Sequence, residues 1–457
     1  MSIDGLTLFH SRLSIRGVQV KNVSRAELPV VVIGAGPIGL AAAAHLVERG
    51  LDPIILESGD QAGDAVAQWG HVRLFSPWRY NVDEAARKLL TRTGWAEPDA
   101  DELPTGAEFI ADYLLPLAET PEIASRLRRN TRVLAVARDG ADLTRSLGRE
   151  RRGYRVRTIN QDGRVEDVLA RAVIDASGTF ANSNPLGVGG LPAVGEQDSS
   201  DFISGPLPEV LGADRAAFAG KRSLVVGMGH SAANTLLALI DLAAAEPTTQ
   251  VTWVIRGGSA RRLFGGGEDD ALPARGHLGI KLQQAVENGQ LTLVKRVSIE
   301  QLTPTSGGLL VTGTEREEAF EVEVDVVVNA TGFRPNLEML REIRLDLDPV
   351  VEAPSGLGEL IDPNHHSCGT VSPHGERLLR HPDDGFYLAG MKSYGRAPTF
   401  LLATGYEQVR SIAAALAGDQ EAADLVHLDL PETGVCSSDL QDEDQSEAES
   451  CCAPATC

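Results

Sequence analysis

The run Val30-Val31-Val32-Ile33-Gly34-Ala35-Gly36-Pro37-Ile38-Gly39, continued by the helix-forming segment Leu40 to Arg49, decides the fold. Four β-branched apolar residues make a strand, the glycines break it, and a helix starts. Gly34, Gly36 and Gly39 give the spacing G-x-G-x-x-G. The first glycine turns the chain, the second lets backbone approach a pyrophosphate, and the third packs helix on strand. The pyrophosphate would sit on the positive end of that helix. A second apolar run, Pro53-Ile54-Ile55-Leu56, ends in Glu57, 23 residues after Gly34. A carboxylate there is placed to accept a hydrogen bond from a ribose hydroxyl.

The same pattern returns downstream. Ser223-Leu224-Val225-Val226-Gly227-Met228-Gly229-His230-Ser231-Ala232 reads G-x-G-x-x-A with Gly227, Gly229 and Ala232 as its three positions, then a helix over 233–242 and a strand over 251–255. This second strand ends in Arg256, where the first unit has Glu57. A guanidinium suits a 2′-phosphate as a carboxylate suits a bare hydroxyl, so the second site is expected to prefer NADPH. Arg261 and Arg262 follow closely and could share the phosphate, or could be solvated surface arginines. Each unit also has an apolar strand ending in small residues: Ala172 to Thr179, with Ser177 and Gly178, and Val324 to Asn336, with Thr331 and Gly332. Such turns can pass close to a cofactor. Their pairing suggests that the chain crosses back into the first unit after Asn336. Gly385 to Gly390 then reads as strand plus glycine turn, and 398–417 as a closing helix that Gly418 ends.

Between these units, residues 108–117 and 123–127 read as helix, and 132–136, 154–158 and 165–169 as short antiparallel strands. Residues 180–219, rich in Gly, Pro, Asn and Ser, read as a linker with a loop function. Residues 281–286 read as a short helix before strands over 291–294 and 309–312. An aromatic-rich passage from Trp69 to Tyr80 stands out in a chain that is 5% aromatic. It reads either as a pocket wall containing Trp69 or as ordinary core.

The 457 residues suffice for two or three domains and a large core. The net charge of −22 argues against a nucleic-acid partner held through phosphates. Residues 411–457 carry 11 Asp and Glu and no Lys or Arg, half of that excess. No run of 18 apolar residues is present, so no membrane span is expected, and residues 1–28 lack an apolar signal-peptide core. We therefore expect a cytoplasmic protein. The five cysteines are Cys368, Cys436, Cys451, Cys452 and Cys457, which excludes a secreted disulfide framework. No C-x-x-C lies near either nucleotide motif, which removes a redox-active disulfide of the thioredoxin kind. His365, His366, Cys368, His374 and His381 match no common zinc spacing, so no metal site is expected and the segment reads as a loop beside the active site.

The motifs Val-Ile-Gly-Ala-Gly-Pro, Gly227-x-Gly229, Ala330-Thr-Gly-Phe-Arg-Pro-Asn336 and Gly385-Phe-Tyr-Leu-Ala-Gly390 together resemble flavoproteins with two dinucleotide-binding domains. Within them the chain is most similar to the flavin-containing monooxygenase-like branch. The passages Arg73 to Asn81, Ser367 to Val371 and Gly390 to Pro398 resemble a bacterial subgroup associated with arsenic-resistance operons. The resemblance implies an α/β fold of two Rossmann-like dinucleotide-binding domains, the NADPH domain inserted into the FAD domain. The expected bounds are an extension over 1–27, FAD domain over 28–205, NADPH domain over 206–335, FAD-domain return over 336–425 and an acidic tail over 426–457. With FAD in the first domain, the expected cofactor-binding residues there are Gly34, Gly36, Gly39, Glu57, Trp69, Ser177, Gly178 and Gly390, and Thr331 and Gly332 are expected to border a cofactor. NADPH is expected to be held by Gly227, Gly229, Ala232 and Arg256. Two departures matter: the linker lacks the Phe-x-Gly-x-x-x-His pattern of typical flavin monooxygenases, and Met391 stands where an acidic residue commonly follows the last glycine.

Three functions compete: an NADPH-dependent flavin monooxygenase of a small molecule, an NADPH-driven reductase of a metalloid or thiol, and a flavin redox sensor or metalloid-binding protein without turnover. Cys368, Cys451 and Cys452 are the candidate catalytic thiols. Cys436, Cys451, Cys452 and Cys457 could hold a thiophilic metalloid such as arsenite.

Overall fold

The computed structural model describes residues 24–264, 273–363, 374–397 and 400–427. The four β-branched residues of Val30–Ile33 are fully or almost fully buried and form the centre of a five-stranded sheet. Pro53–Leu56 flanks them on one side and Ala172–Asp175 on the other, both parallel, with Ile33 opposite Leu56 and Asp175. Leu127–Arg128 extends one edge, and Phe386–Leu388, from the far end of the chain, extends the other. A second five-stranded parallel sheet has Arg222–Val226 next to Gln250–Ile255 and Val326–Asn329, with Thr292–Lys295 and Ile203–Ser204 at its edges. The chain thus leaves the first sheet after Asp175 and rejoins it at Phe386. This is the inserted two-domain α/β arrangement that the motifs imply.

Each sheet carries a three-stranded antiparallel excursion, 131–160 with 165–170 in the first and 297–324 in the second. Two strands of the second excursion, Val297–Thr305 and Glu318–Val324, escaped the sequence reading. They have one solvated face, so polar residues alternate with apolar ones and no apolar run marks them. The helix expected over 281–286 is the longer Pro273–Glu287, and the closing helix is Leu402–Leu416. The helix expected over 108–117 is broken into Gly106–Phe109, a π-helical turn Ile110–Leu114, and Leu115–Glu119. Pro116 has no N–H to offer the Asp112 carbonyl. The Trp95 indole donates to that carbonyl instead, at 2.7 Å.

The first helix, Pro37–Glu48, is buried on nearly every side, against the sheet, the closing helix and Glu84–Thr91. That burial strands one imidazole. His45 Nε2 lies 2.9 Å from Asp83 Oδ2, and Asp83 also caps the Glu84–Thr91 helix by accepting from Ala86 N–H. No helix among the described residues is long and apolar enough to cross a membrane.

Burial pulls the His45 pKa down, but Asp83, with help from Glu48, more than reverses this and raises it to about 9. A pKa raised on folding stabilises the fold in full below the unfolded value, near 6.5, and the gain is lost as pH climbs through the folded one. The shift corresponds to about 3 kcal/mol. The expected outcome is a melting temperature that falls between pH 6.5 and 9.5 in the wild type, with this fall greatly reduced in His45→Gln.

Candidate functional site

At the C-terminal edge of the first sheet the chain turns at Gly34, which takes φ +97°. A Cβ there would lie 2.9 Å from the Ala176 carbonyl oxygen, and one at Gly39 would lie 2.0 Å from the Gly34 carbonyl oxygen. Both glycines are required by backbone contact within the protein. Gly36 differs: it is the N-cap of the first helix, and a Cβ on it would meet no protein atom within 4 Å. The open space faces the helix N-terminus, where backbone N–H groups await an anion. Gly178, at φ +68°, borders open space as well.

Glu57 is buried, and its carboxylate accepts from Ala35 N–H at 2.6 Å and from Gly59 N–H at 2.7 Å. It ties the glycine loop to the end of the second strand, also accepts from Ser58 Oγ–H at 3.2 Å, and keeps a lone pair on Oε2 for a ribose hydroxyl. Gly390, at φ +68°, sits against Ile38 at the start of the first helix, its N–H donating to buried Gln408 Oε1 at 2.8 Å. Trp69 is half-buried, with its ring and carbonyl against Gly106. Trp78 and Phe109, with ring centres 5.9 Å apart, are core.

The second edge repeats the first. Gly227 takes φ +135°, and a Cβ on it would lie 2.0 Å from the Ala330 carbonyl oxygen. Gly229 is the N-cap of His230–Ala245 and opens onto empty space, with Ala232 buried beneath. Arg256 follows the last residue of its strand and is exposed. Thr331 and Gly332 lie on the return crossing. Thr331 Oγ1 lies 2.8 Å from the Asn184 carbonyl oxygen, and Asn184 N–H donates to the Gly332 carbonyl at 2.9 Å. The two crossings between the sheets are therefore laced together, with Phe180 on Phe333 at 5.1 Å. The two edges also touch directly: Phe75, from the aromatic passage, meets His230 edge-on at 5.2 Å.

Sequence reasoning missed a buried ion pair in this region. Lys392 Nζ lies 2.7 Å from Asp175 Oδ2 and donates to Ser177 Oγ at 3.0 Å, with both charges almost wholly buried. Asp175 also accepts from Ser177 N–H and Oγ–H. Lys392 thus fixes the Ser177–Gly178 turn against the Gly390 turn. An aspartate at the end of an otherwise apolar strand was the available signal. The candidate thiols Cys368, Cys436, Cys451, Cys452 and Cys457 lie outside the described residues, as do the side chains of Arg261 and Arg262.

These paired cradles fit two nucleotides, and comparison with known proteins agrees. A family model described as pyridine nucleotide-disulphide oxidoreductase matches residues 31–353. The chain belongs to that family and is an oxidoreductase whose cofactors are FAD and NADPH. Indole-3-pyruvate monooxygenase YUCCA6 of Arabidopsis thaliana is 27% identical over 216 residues, covering 47% of this chain and 45% of the plant enzyme. The match thus spans about half the length of that curated relative. Bacillithiol disulfide reductase Bdr (YpdA) from Bacillus cereus superposes with TM-score 0.62 at 19% identity, over 86% of this chain and 99% of that one. A doubly substituted flavin monooxygenase from Stenotrophomonas maltophilia is 25% identical, with TM-score 0.53, over 86% and 98%.

The geometry makes Gly36→Ala a clean probe. Its φ of −74° suits alanine and its Cβ meets no protein atom, so the variant should fold with a methyl placed where a pyrophosphate must approach. We expect a soluble, folded protein with little flavin absorbance. Full yellow colour in the purified variant would remove Gly36 from the FAD site.

Proposed function

We propose that the protein is an NADPH-dependent flavin monooxygenase acting on a small molecule. In this reading the first cradle holds FAD through the Pro37–Glu48 helix N-terminus, Gly36, Glu57 and the Ser177–Gly178 turn, and the second holds NADPH through the His230–Ala245 N-terminus, Gly229 and Arg256. Bound FAD supplies hydride acceptance from NADPH and onward transfer of the electrons. The observation that carries the reading is that the first 367 residues, which include both cradles, contain no cysteine. Among the described residues, therefore, no disulfide lies beside the site to take its electrons. The monooxygenases among the similar proteins support oxygen as the acceptor. Oxygen consumption equal to NADPH consumption, with a hydroxylated product, is the expected result. Sustained substrate-dependent NADPH oxidation under anaerobic conditions would favour the reductase instead.

A second reading is favoured by one observation: three of the five cysteines fall in the last seven residues. In this reading the terminal thiols capture arsenite or another thiophilic metalloid in the cytoplasm, and the enzyme serves its detoxification. Adjacent carboxylates oppose it by raising thiol pKa values. The full chain should bind arsenite more tightly than a chain ending at Ser450. Equal binding by the two would leave the terminal thiols without this role.

A further inference from the structure

The second sheet ends in a broader cationic edge than its motif reveals. Gln250–Ile255 runs parallel to Thr292–Lys295 with Ile255 opposite Lys295, so Arg256 and Arg296 leave the sheet side by side. Two backbone hydrogen bonds hold the second arginine there. Arg296 N–H donates to the Gly257 carbonyl at 3.1 Å, and its own carbonyl accepts from Arg316 N–H at 2.9 Å. Arg296 takes φ +58°, a left-handed conformation that disfavours long side chains and persists when its surroundings impose it. Its guanidinium folds over the loop that carries Arg256. A Cβ at Gly258 would fall 2.9 Å from Arg296 Nε and 3.1 Å from one of its terminal nitrogens. A side chain at 258 would displace that guanidinium, so Gly258 leaves room for it. Lys295, exposed beside it, adds a third positive charge.

The adenosine ribose of a dinucleotide lies at the end of the second strand of such a unit, beyond Ile255. We infer that Arg296, on the neighbouring strand end, is a second reader of the NADPH 2′-phosphate and, with Arg256, sets the preference over NADH. The chemistry favours two arginines over one. A single exposed cation beside a phosphate is screened by salt and attracts any anion, whereas two planar donor forks from adjacent strands fix the direction of approach. Arg296 is half-buried, so its interaction is screened less than that of Arg256. NADH offers these groups only a hydroxyl. The inference deepens the NADPH reading and rests on it.

The test is calorimetric titration of FAD-loaded protein with adenosine 2′,5′-bisphosphate and with AMP, using wild type, Arg256→Ala, Arg296→Gln and the double variant. The probes share adenosine and the 5′-phosphate, and only the first carries the 2′-phosphate. Arg296→Gln should bind the bisphosphate about tenfold more weakly, the scale of one charge-assisted contact, and AMP as the wild type does. The double variant should bind both probes alike. Arg296→Lys should fall between wild type and Arg296→Gln, because it restores the charge without the fork. Unchanged bisphosphate affinity in Arg296→Gln, or an equal loss for AMP, would overturn the inference while leaving Arg256 to act alone. A wild type that binds both probes equally would overturn the NADPH reading itself. Wild-type flavin absorbance and melting temperature in Arg296→Gln serve as the check on folding.

Discussion

Gly34 N–H donates to the Leu56 carbonyl at 2.8 Å, and Ala176 N–H donates to the Ile33 carbonyl at 3.0 Å, so the first strand is tied to both neighbours where the chain turns. In the second sheet Gly227 N–H donates to the Val254 carbonyl at 3.1 Å, and Ala330 N–H to the Val226 carbonyl at 2.9 Å. Three strand ends are gathered at one glycine in each case. The gathering is tight enough that no side chain fits, since a methyl on either glycine would reach the carbonyl of the adjoining alanine. The rest of the site follows from this constraint. The glycine turn aims the helix N-terminus, the small-residue turn must lie beside it, and the space left over is where a pyrophosphate fits.

The two small-residue turns are built alike and then diverge. Ser177 N–H and Oγ–H both donate to Asp175 Oδ1, and Thr331 N–H and Oγ–H both donate to Asn329 Oδ1. Asn329 is neutral, and its amide donates to the Asn184 carbonyl on the linker crossing. Asp175 carries a charge into the interior and needs Lys392 opposite it. Removing one partner of such a buried pair costs about 3–5 kcal/mol, because the other charge is left uncompensated. A turn that rests on a neutral amide is coupled to the interdomain crossing; one that rests on an ion pair is coupled to the Gly390 turn of its own domain. The same local device thus ties one turn to the interdomain crossing and the other to the Gly390 turn of its own domain.

The local geometry made by short-range rules was legible in the sequence. Gly34 to Gly39, Glu57, Gly227 to Ala232 and Arg256 each follow from strand–turn–helix chemistry over fewer than thirty residues, and the echo of Ala176-Ser177-Gly178 in Ala330-Thr331-Gly332 betrayed the internal repeat. The parts that join distant segments were not. Lys392 meets Asp175 across more than two hundred residues, Phe75 meets His230 across a domain boundary, and Arg296 reaches Gly258 only because two strands are neighbours in a sheet. No periodicity encodes such pairings. Trp69 is a mixed case, since aromatic density marked its segment while its packing on Gly106 places it against core.

The fold leaves the chemistry open, because similar architecture is found in a bacillithiol disulfide reductase and in flavin monooxygenases. What distinguishes such proteins is the group that receives electrons from the flavin. The distinction turns on what the chain itself places near the paired strand ends. Among the described residues around them are Lys392, Glu57, His230 and Phe75, which can hold charge, orient a phosphate or close the gap between domains, and none of which can cycle between thiol and disulfide. The Phe75–His230 contact joins the first domain to the first residue of the His230–Ala245 helix in the second. The start of that helix and the relative placement of the two domains therefore share a side chain. In the proposed reading, a protein that brings nicotinamide to flavin needs a coupling between its two domains, and this contact supplies one.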